Sequence, residues 1–475
     1  MSGFVRAQGG ALVDDSGPLL LRGVGLGNWL VPEGYMWGFG PLFQSPRQIE
    51  GLVASVLGWQ EAQEFWRRWR ASYVTEVDLD VLVSAGLDHV RLPMNWRLLM
   101  SVDGTVLPEG FETIDLLLER CRSRGLRVVL DLHAAPGGQT GTNIDDSLGL
   151  PELFLDDHWK TLTVRLWRTI AERYATEEAV LAYDLLNEPL PHQWADAFGH
   201  DLIPLYAEIT AAIRGVDPHH LLMYEGTRWA TDFADFTTNL DPNAALQFHK
   251  YWSRPDDASL TDHLAAASRL GMPLYMGETG ENTLDWLASA TALYERAGIS
   301  WCFWPHKKVQ NPAGVFSILA PRDWEALTEY QGEPVTPAWK ARAAAALWEL
   351  LESVPSDPRA ANQDLLDALM RRTVRLPVGA YVDHSPGVTI SWPETFDYDQ
   401  GTGMSDPMDA VAHVPAGGWI DYHVPSSTVE PTVSVHSGEV GVATEATASG
   451  WSRLRVRAVT DAALRGLVFE DPSSE

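Results

Sequence analysis

The stretch VLAYDLLNEP, residues 180–189, decides the reading of this chain. It starts as an apolar run with no polar face, as a strand covered on both sides must, and it ends in an amide, a carboxylate and a proline. PLYMGETGEN, residues 273–282, repeats that design. Six more runs share it: LLLRGVGLGN (19–28), HVRLPMN (89–95), RVVLDLHAAP (127–136), HLLMYEG (220–226), ALQFHKYW (245–252) and ISWCFWPH (299–306). Helical spacing fills most of the gaps. At 111–121, Phe111, Ile114, Leu117, Leu118 and Cys121 share one face, and similar segments cover 60–85, 158–175, 194–214, 258–270 and 284–297. The connection after the fifth run is the least helical. Eight strands alternating with helices predict an α/β fold, a (β/α)8 TIM barrel, over residues 1–372. A doubly wound sheet competes, but it does not by itself place polar residues at the end of nearly every strand.

Those ends carry Asn28, Arg91 with Asn95, His133, Asn187 with Glu188, Glu225, His249 with Tyr251, Glu278, and Trp304 with His306. In a barrel they converge on the C-terminal rim, where active sites are built. Residues 29–60 form a long insertion after the first strand, rich in rings (Trp29, Tyr35, Trp37, Phe39, Phe43), and are expected to stand over the mouth. Beyond the Pro-containing connection SVPSDPRAAN (353–362), composition changes. Residues 376–475 contain no Lys, and short alternating runs such as TVSVHS and RLRVRAV predict a small C-terminal β-sandwich. Its Trp392, Trp419, Tyr422 and Trp451 are read as core before stacking rings.

The charge balance, 35 basic against 64 acidic residues or -29, argues against nucleic acid or an anionic membrane as partner. Twenty Trp, 14 Phe and 13 Tyr supply flat surfaces of the kind sugars stack on. Cys121 and Cys302 predict buried thiols and no disulfide framework. The first 15 residues lack a basic, an apolar and a small-residue cleavage region, and no apolar run approaches 18 residues, so a cytoplasmic location without membrane insertion is expected. No metal or cofactor signature is present. His219 with His220 lacks ligand spacing, GVGLGN lacks the third dinucleotide glycine, PGGQTGT lacks the Walker Lys, and no Gly-x-Ser-x-Gly elbow occurs.

Glu188 and Glu278 end the fourth and seventh strands, opposite one another across a barrel of eight. Either alone reads as a strand-end ion pair; together they match the needs of glycoside hydrolysis. That reaction takes one carboxylic acid to protonate the leaving oxygen and one carboxylate on the other face of the sugar, about 5–5.5 Å away when it attacks directly. An acid of this kind keeps its proton near neutrality through burial and a nearby second carboxylate. Arg91 and His133 supply cations beside a carboxylate, Asn187 an amide for a sugar hydroxyl, and His249 and Tyr251 share a strand face. Trp304 offers a flat apolar face.

The chain resembles glycoside hydrolase family 5 of the retaining (β/α)8 clan, and most closely its exo-1,3-β-glucanase branch. LRGVGLGNWLVPE (21–33), VRLPMNW (90–96), DLHAAPGGQTGTNIDDS (131–147), NEP and GETG carry the resemblance in order, over about residues 20–310. It implies that Glu188 is the acid/base and Glu278 the nucleophile, with Arg91, His133, Asn187, His249 and Tyr251 forming the first sugar subsite. It also implies that Glu33 is a loop carboxylate holding the terminal sugar. Asn28 departs from the branch's Gly. FWPHKK departs from its Trp followed by Lys, so His306 is placed beside Trp304 as a candidate for the aromatic platform. The sandwich resembles a carbohydrate-binding module. The expectation is a retaining exo-acting β-glycosidase that releases terminal β-linked glucose from oligosaccharides or glycosides, with carbohydrate as partner and the oligomeric state open. The same machinery serves a β-mannosidase, a glycosylceramide-type hydrolase, a diglycosidase or an endo-β-glucanase, and a non-catalytic carbohydrate-binding protein is the alternative of another class.

Overall fold

Eight parallel strands close into a barrel: β1 (Arg22–Gly25), β2 (His89–Asn95), β3 (Arg127–Ala134), β4 (Val180–Asp184), β5 (Leu221–Glu225), β6 (Ala244–His249), β7 (Leu274–Gly280) and β8 (Ser300–Trp304). They pair in chain order, and β8 returns to β1. Every residue of β2 to β8 is buried. That explains why the runs show no alternation: helices cover the outside and side chains fill the inside. The computed structural model describes residues 3–373, 375–392, 410–425, 432–447 and 451–469. The chain divides into two compact units, Met1–His249 with His263–Thr279 and Cys302–Asn362, and Lys250–Asp262 with Gly280–Trp301 and Gln363–Glu475.

In the first unit the helical segment expected at 60–85 is two helices, Trp59–Tyr73 and Glu76–Ala85. Thr75 starts the second through a capping box with Asp78. After β5 there is only Thr227–Ala230, where Arg228 and Trp229 have left-handed φ of 58° and 63° that cannot continue a helix. Trp37 and Phe39 of the 29–60 insertion are spent on a buried ring cluster. Trp37 stacks on Trp69 with centroids 4.5 Å apart, and Phe39 on Trp324 at 5.5 Å. Gly25 and Gly27 lie against Trp304, where a Cβ on either would stand 2.5 Å from the ring, so these two glycines of GVGLGN make room for an indole rather than for a phosphate. Asn28 has φ 67°, a conformation that Gly adopts freely and Asn tolerates.

His306 does not furnish a platform. It is fully buried, with Nε2 2.9 Å from Asp78 Oδ1, and Lys307 Nζ lies 2.8 Å from the same oxygen. The FWPHKK departure therefore encodes a buried ion cluster, whose other members are Thr75 and Ser356.

The second unit holds helix Leu284–Arg296 and two antiparallel sheets. One contains Arg375–Pro377, Ala462–Val468, Val411–Val414, Thr389–Ser391 and Thr432–Ser437; the other contains Asp383–His384, Trp419–Pro425, Trp451–Ala458 and Val440–Ala446. Leu376, Leu464 and Leu467 of the first meet Ile420, Tyr422, Leu454 and Val456 of the second in one core, which Ala288 and Ala292 of the helix complete. That shared core makes the pair a sandwich. Tyr422 is in it, Trp392 packs at its edge, and Arg455 covers the Trp419 ring at 3.7 Å. Trp451 is half-buried, with the Arg371 guanidinium 6.0 Å from its ring. Residues 393–409, 426–431, 448–450 and 470–475 of the expected sandwich lie outside the described residues.

Burial alone would raise the pKa of Asp78, but His306 and Lys307 override it and hold the carboxyl far below the ordinary range. A depressed folded pKa means that its stabilisation is complete above about pH 4 and drains away as pH falls towards the folded value. Asp78→Asn, which leaves Lys307 without its counter-charge, should therefore destabilise the chain at pH 7 by about 3–5 kcal/mol in urea unfolding, and by less below pH ~4.

Candidate active site

Arg91, the third residue of β2, has a guanidinium with no exposed surface. Its Nε donates to Asp184 Oδ2 at 2.9 Å, and its Nη2 to Asn187 Oδ1 at 2.8 Å and Glu225 Oε1 at 3.2 Å. Nη1 donates to Glu278, and Asp131 Oδ2 lies 3.2 Å from Nη2. Four carboxylates from β3, β4, β5 and β7 thus surround one cation inside the barrel.

Glu278 is aimed by a register shift. Met276 sits opposite Phe248 and Glu278 opposite His249, which leaves Gly277 as the extra residue. A Cβ at Gly277 would stand 2.2 Å from Gln247 Nε2, so this glycine admits the amide that bridges Asp184 at 2.7 Å and Glu225 at 2.6 Å. Glu188 follows β4 with φ 43°, and its peptide N–H donates to Glu225 Oε2 at 2.6 Å. His249 stands between the two glutamates, with Nδ1 2.8 Å from Glu188 Oε1 and 3.6 Å from Glu278 Oε2, and with Nε2 3.4 Å from Glu225. One oxygen each from Glu188 and Glu278 and one His249 nitrogen lie within 4.8 Å of one another.

Burial pushes Asp184 up to about 6 and also raises Asp131 and Glu225, against the pull of Arg91. For His249 burial works towards the neutral ring, but Glu225, Glu278 and the hydrogen bond to Glu188 outweigh it and raise its pKa. Glu188, His249 and Glu278 have the spacing of a metal-ligand trio, and both His249 ring nitrogens face carboxylates. Two carboxyl groups so placed are equipped for proton transfer and for attack on an electrophilic carbon.

His133 is held near 4 by burial, so its ring is neutral at pH 7, with Nδ1 2.7 Å from Asp131 and Nε2 3.8 Å from Glu33 Oε1. Its ring stacks on Trp304, centroids 5.5 Å apart at 10°, and the Trp304 indole N–H donates to Tyr35 Oη at 2.9 Å. Trp304 is 3% exposed, so its rings serve first to brace His133 and the loop after β1. Glu33, Arg91, His133, Asn187, Glu188, His249, Glu278 and Trp304 are thus linked by contacts in the first unit, whereas His306 belongs to the Asp78 cluster. Tyr251 opens a segment of the second unit, its ring tilted against Trp252 at 5.6 Å.

Sequence reading missed Asp131, Asp184, Gln247 and Gln139, and it placed Glu225 on the rim without a task. The signal for the first three was a polar residue inside an otherwise apolar run. Gln139, in the PGGQTGT loop, is fully buried; its Nε2 donates to His133 O at 2.7 Å and Asn187 O at 2.9 Å, and its Oε1 accepts from Ala135 N at 3.0 Å. The same loop is tied down by Asp146, which takes Arg97 Nε at 2.6 Å and Arg47 Nε at 2.9 Å.

Glutamates just after strand four and on strand seven of a (β/α)8 barrel, brought close together, fit the class of the barrel glycoside hydrolases. The chain matches the model of the Cellulase family, glycosyl hydrolase family 5, over residues 50–308, more than half its length, and it belongs to that family. It is 32% identical over 255 residues to a β-xylosidase of Phanerodontia chrysosporium, covering 52% of each chain. To a probable glucan 1,3-β-glucosidase A of Aspergillus niger it is 33% identical over 189 residues, 39% of this chain and 45% of the relative. The chain thus spans about half the length of these curated relatives. Among solved structures, an endogalactoceramidase shares the fold with a TM-score of 0.54 and 16% identity, over 98% of this chain and 100% of that one.

Gln139→Ala strips partners from three buried backbone groups at the ends of β3 and β4. It should lower stability by about 1–3 kcal/mol in urea unfolding, whereas a loss below about 0.5 kcal/mol would mean that water replaces the amide.

Proposed function

We propose that the chain is a retaining exo-acting β-glycosidase that removes a terminal β-linked sugar, glucose before others, from oligosaccharides or glycosides. The observation that carries this reading is the pair of Glu188 and Glu278 oxygens within 4.8 Å of one another. Retaining enzymes hold their carboxyl groups roughly 5–5.5 Å apart and inverting ones roughly 6.5–9.5 Å, to admit a water. In the first step Glu278 attacks the anomeric carbon while the bond to the leaving oxygen breaks and Glu188 gives that oxygen its proton. In the second step Glu188 takes a proton from water, whose oxygen displaces the Glu278 ester. Two inversions leave the configuration unchanged. Arg91 occupies Asn187 Oδ1 and one hydrogen of the amide NH2 faces His133 Nε2 at 3.5 Å, so the other hydrogen is the one to hold a sugar hydroxyl.

Two further observations support exo action. Glu33 and Tyr35, from the loop after β1, reach His133 and Trp304, so that loop walls one side of the site. The names of the similar proteins, a β-xylosidase and a glucan 1,3-β-glucosidase, also suit release of terminal units.

The test is a panel of 4-nitrophenyl β-glycosides of glucose, xylose, mannose, galactose and disaccharides, with the first-formed anomer followed by proton NMR. Release of a β-anomer by the wild type and none by Glu278→Gln is expected; an α-anomer would overturn the mechanism, and silence throughout would favour a carbohydrate-binding protein. Glu188→Ala should lose about 10²–10⁴-fold on poor leaving groups and far less on dinitrophenyl glycosides, which leave without a proton.

A further inference from the structure

We infer that Glu225 is a positioning residue for Glu188, a sealed carboxylate that holds the backbone of the proposed acid in a conformation it would not keep alone. The inference rests on the glycosidase reading above. Glu188 has φ 43°, in the left-handed region that is strained for a residue with a side chain. Such strain persists where the surroundings over-determine it. Around Glu188 they do. Asn187 N donates to Leu132 O at 3.2 Å, Gln139 holds the Asn187 carbonyl, and Leu190 N donates to Gln139 O at 3.2 Å. Between these fixed points the Glu188 peptide N–H meets Glu225 Oε2 at 2.6 Å, a short bond to a carboxylate.

Glu225 is itself immobile. It is fully buried at the end of β5, and its other oxygen takes Gln247 Nε2 at 2.6 Å and Arg91 Nη2 at 3.2 Å, with His249 Nε2 at 3.4 Å. These neighbours are donors fixed on β2 and β6, so the carboxylate has one orientation and passes it to Glu188. The path runs twice, through the peptide N–H and through His249, whose Nδ1 meets Glu188 Oε1. With no exposed surface, Glu225 is placed to act through Glu188 rather than on a sugar.

A role of this kind predicts a loss confined to the step in which Glu188 delivers a proton. In the full-length protein, Glu225→Gln and the milder Glu225→Asp are compared with wild type on 2,4-dinitrophenyl and on phenyl or methyl β-glycosides of the preferred sugar. Expected is a fall in kcat/KM of about 100-fold or more on the poor leaving groups for Glu225→Gln, within about 5-fold on the dinitrophenyl glycoside, with the same ordering for Glu225→Asp. An equal fall on both leaving groups, no fall on either, or loss of folded circular dichroism in both variants assigns Glu225 to general support and overturns the inference. Glu188→Ala runs alongside. If it shows no leaving-group dependence, or the wild type cleaves no glycoside, the glycosidase reading has failed and takes the inference with it; if Glu188→Ala discriminates and the Glu225 variants do not, only the inference fails.

Discussion

The contact on which the rest of the site depends is that of the Arg91 guanidinium with the carboxylates of Asp131, Asp184, Glu225 and Glu278. A cation withdrawn wholly from water is expensive unless opposite charge and hydrogen bonds replace its hydration, and so are the carboxylates around it. Each therefore makes the others tolerable. Because Arg91 rises from β2 and the acids from β3, β4, β5 and β7, the cluster also fixes those five strands relative to one another just below the rim. Asn187, whose oxygen takes one guanidinium N–H, is positioned by the same cation.

Such a cluster holds more acids than cations, and its proton distribution follows. Burial raises Asp131, Asp184 and Glu225, while the surrounding negative charge raises His249. Because these groups face one another, they titrate as a coupled set rather than one by one. His133 lies outside this compromise: burial keeps its ring neutral, and Asp131 and Trp304 fix its orientation. A neutral, oriented imidazole and an amide suit hydroxyl groups, and hydroxyls are what the proposed ligand presents.

The strands were legible because a barrel covers both faces of each one, which leaves long apolar runs, and because their polar ends mark the rim. The layer beneath was not. Asp131, Asp184 and Gln247 interrupt apolar runs in ways that a strand-end reading passes over, and only the closed barrel shows that they share one cation. Gln139 was hidden for another reason: its partners are backbone carbonyls, which carry no residue signature. His306 was misplaced because its position after β8 suggested the rim, whereas its ring is claimed by Asp78, from a helix more than 200 residues earlier. Asn28 was legible as a departure, and its left-handed φ supplies the reason that a glycine stands there in the resembling branch. The rings of the 29–60 insertion suggested a cover for the mouth; their stacking with Trp69 and Trp324 depends on contacts that no local pattern encodes.

Two glutamates of the same chemical kind are given different neighbours, and the difference fits the division of labour proposed for them. Glu278 touches Arg91, a cation that does not surrender its charge at any ordinary pH. That neighbour suits a group which begins as an anion, becomes an ester, and is never asked to carry a proton. Glu188 touches His249 rather than a permanent cation, and its side chain is the more exposed of the two. That neighbour suits a group which must give a proton away and take one back in every cycle. Between them the cluster behind the rim supplies negative charge towards the place where a sugar ring would become positive, and electrostatic preorganisation of this kind is the largest single contribution to catalysis in many enzymes.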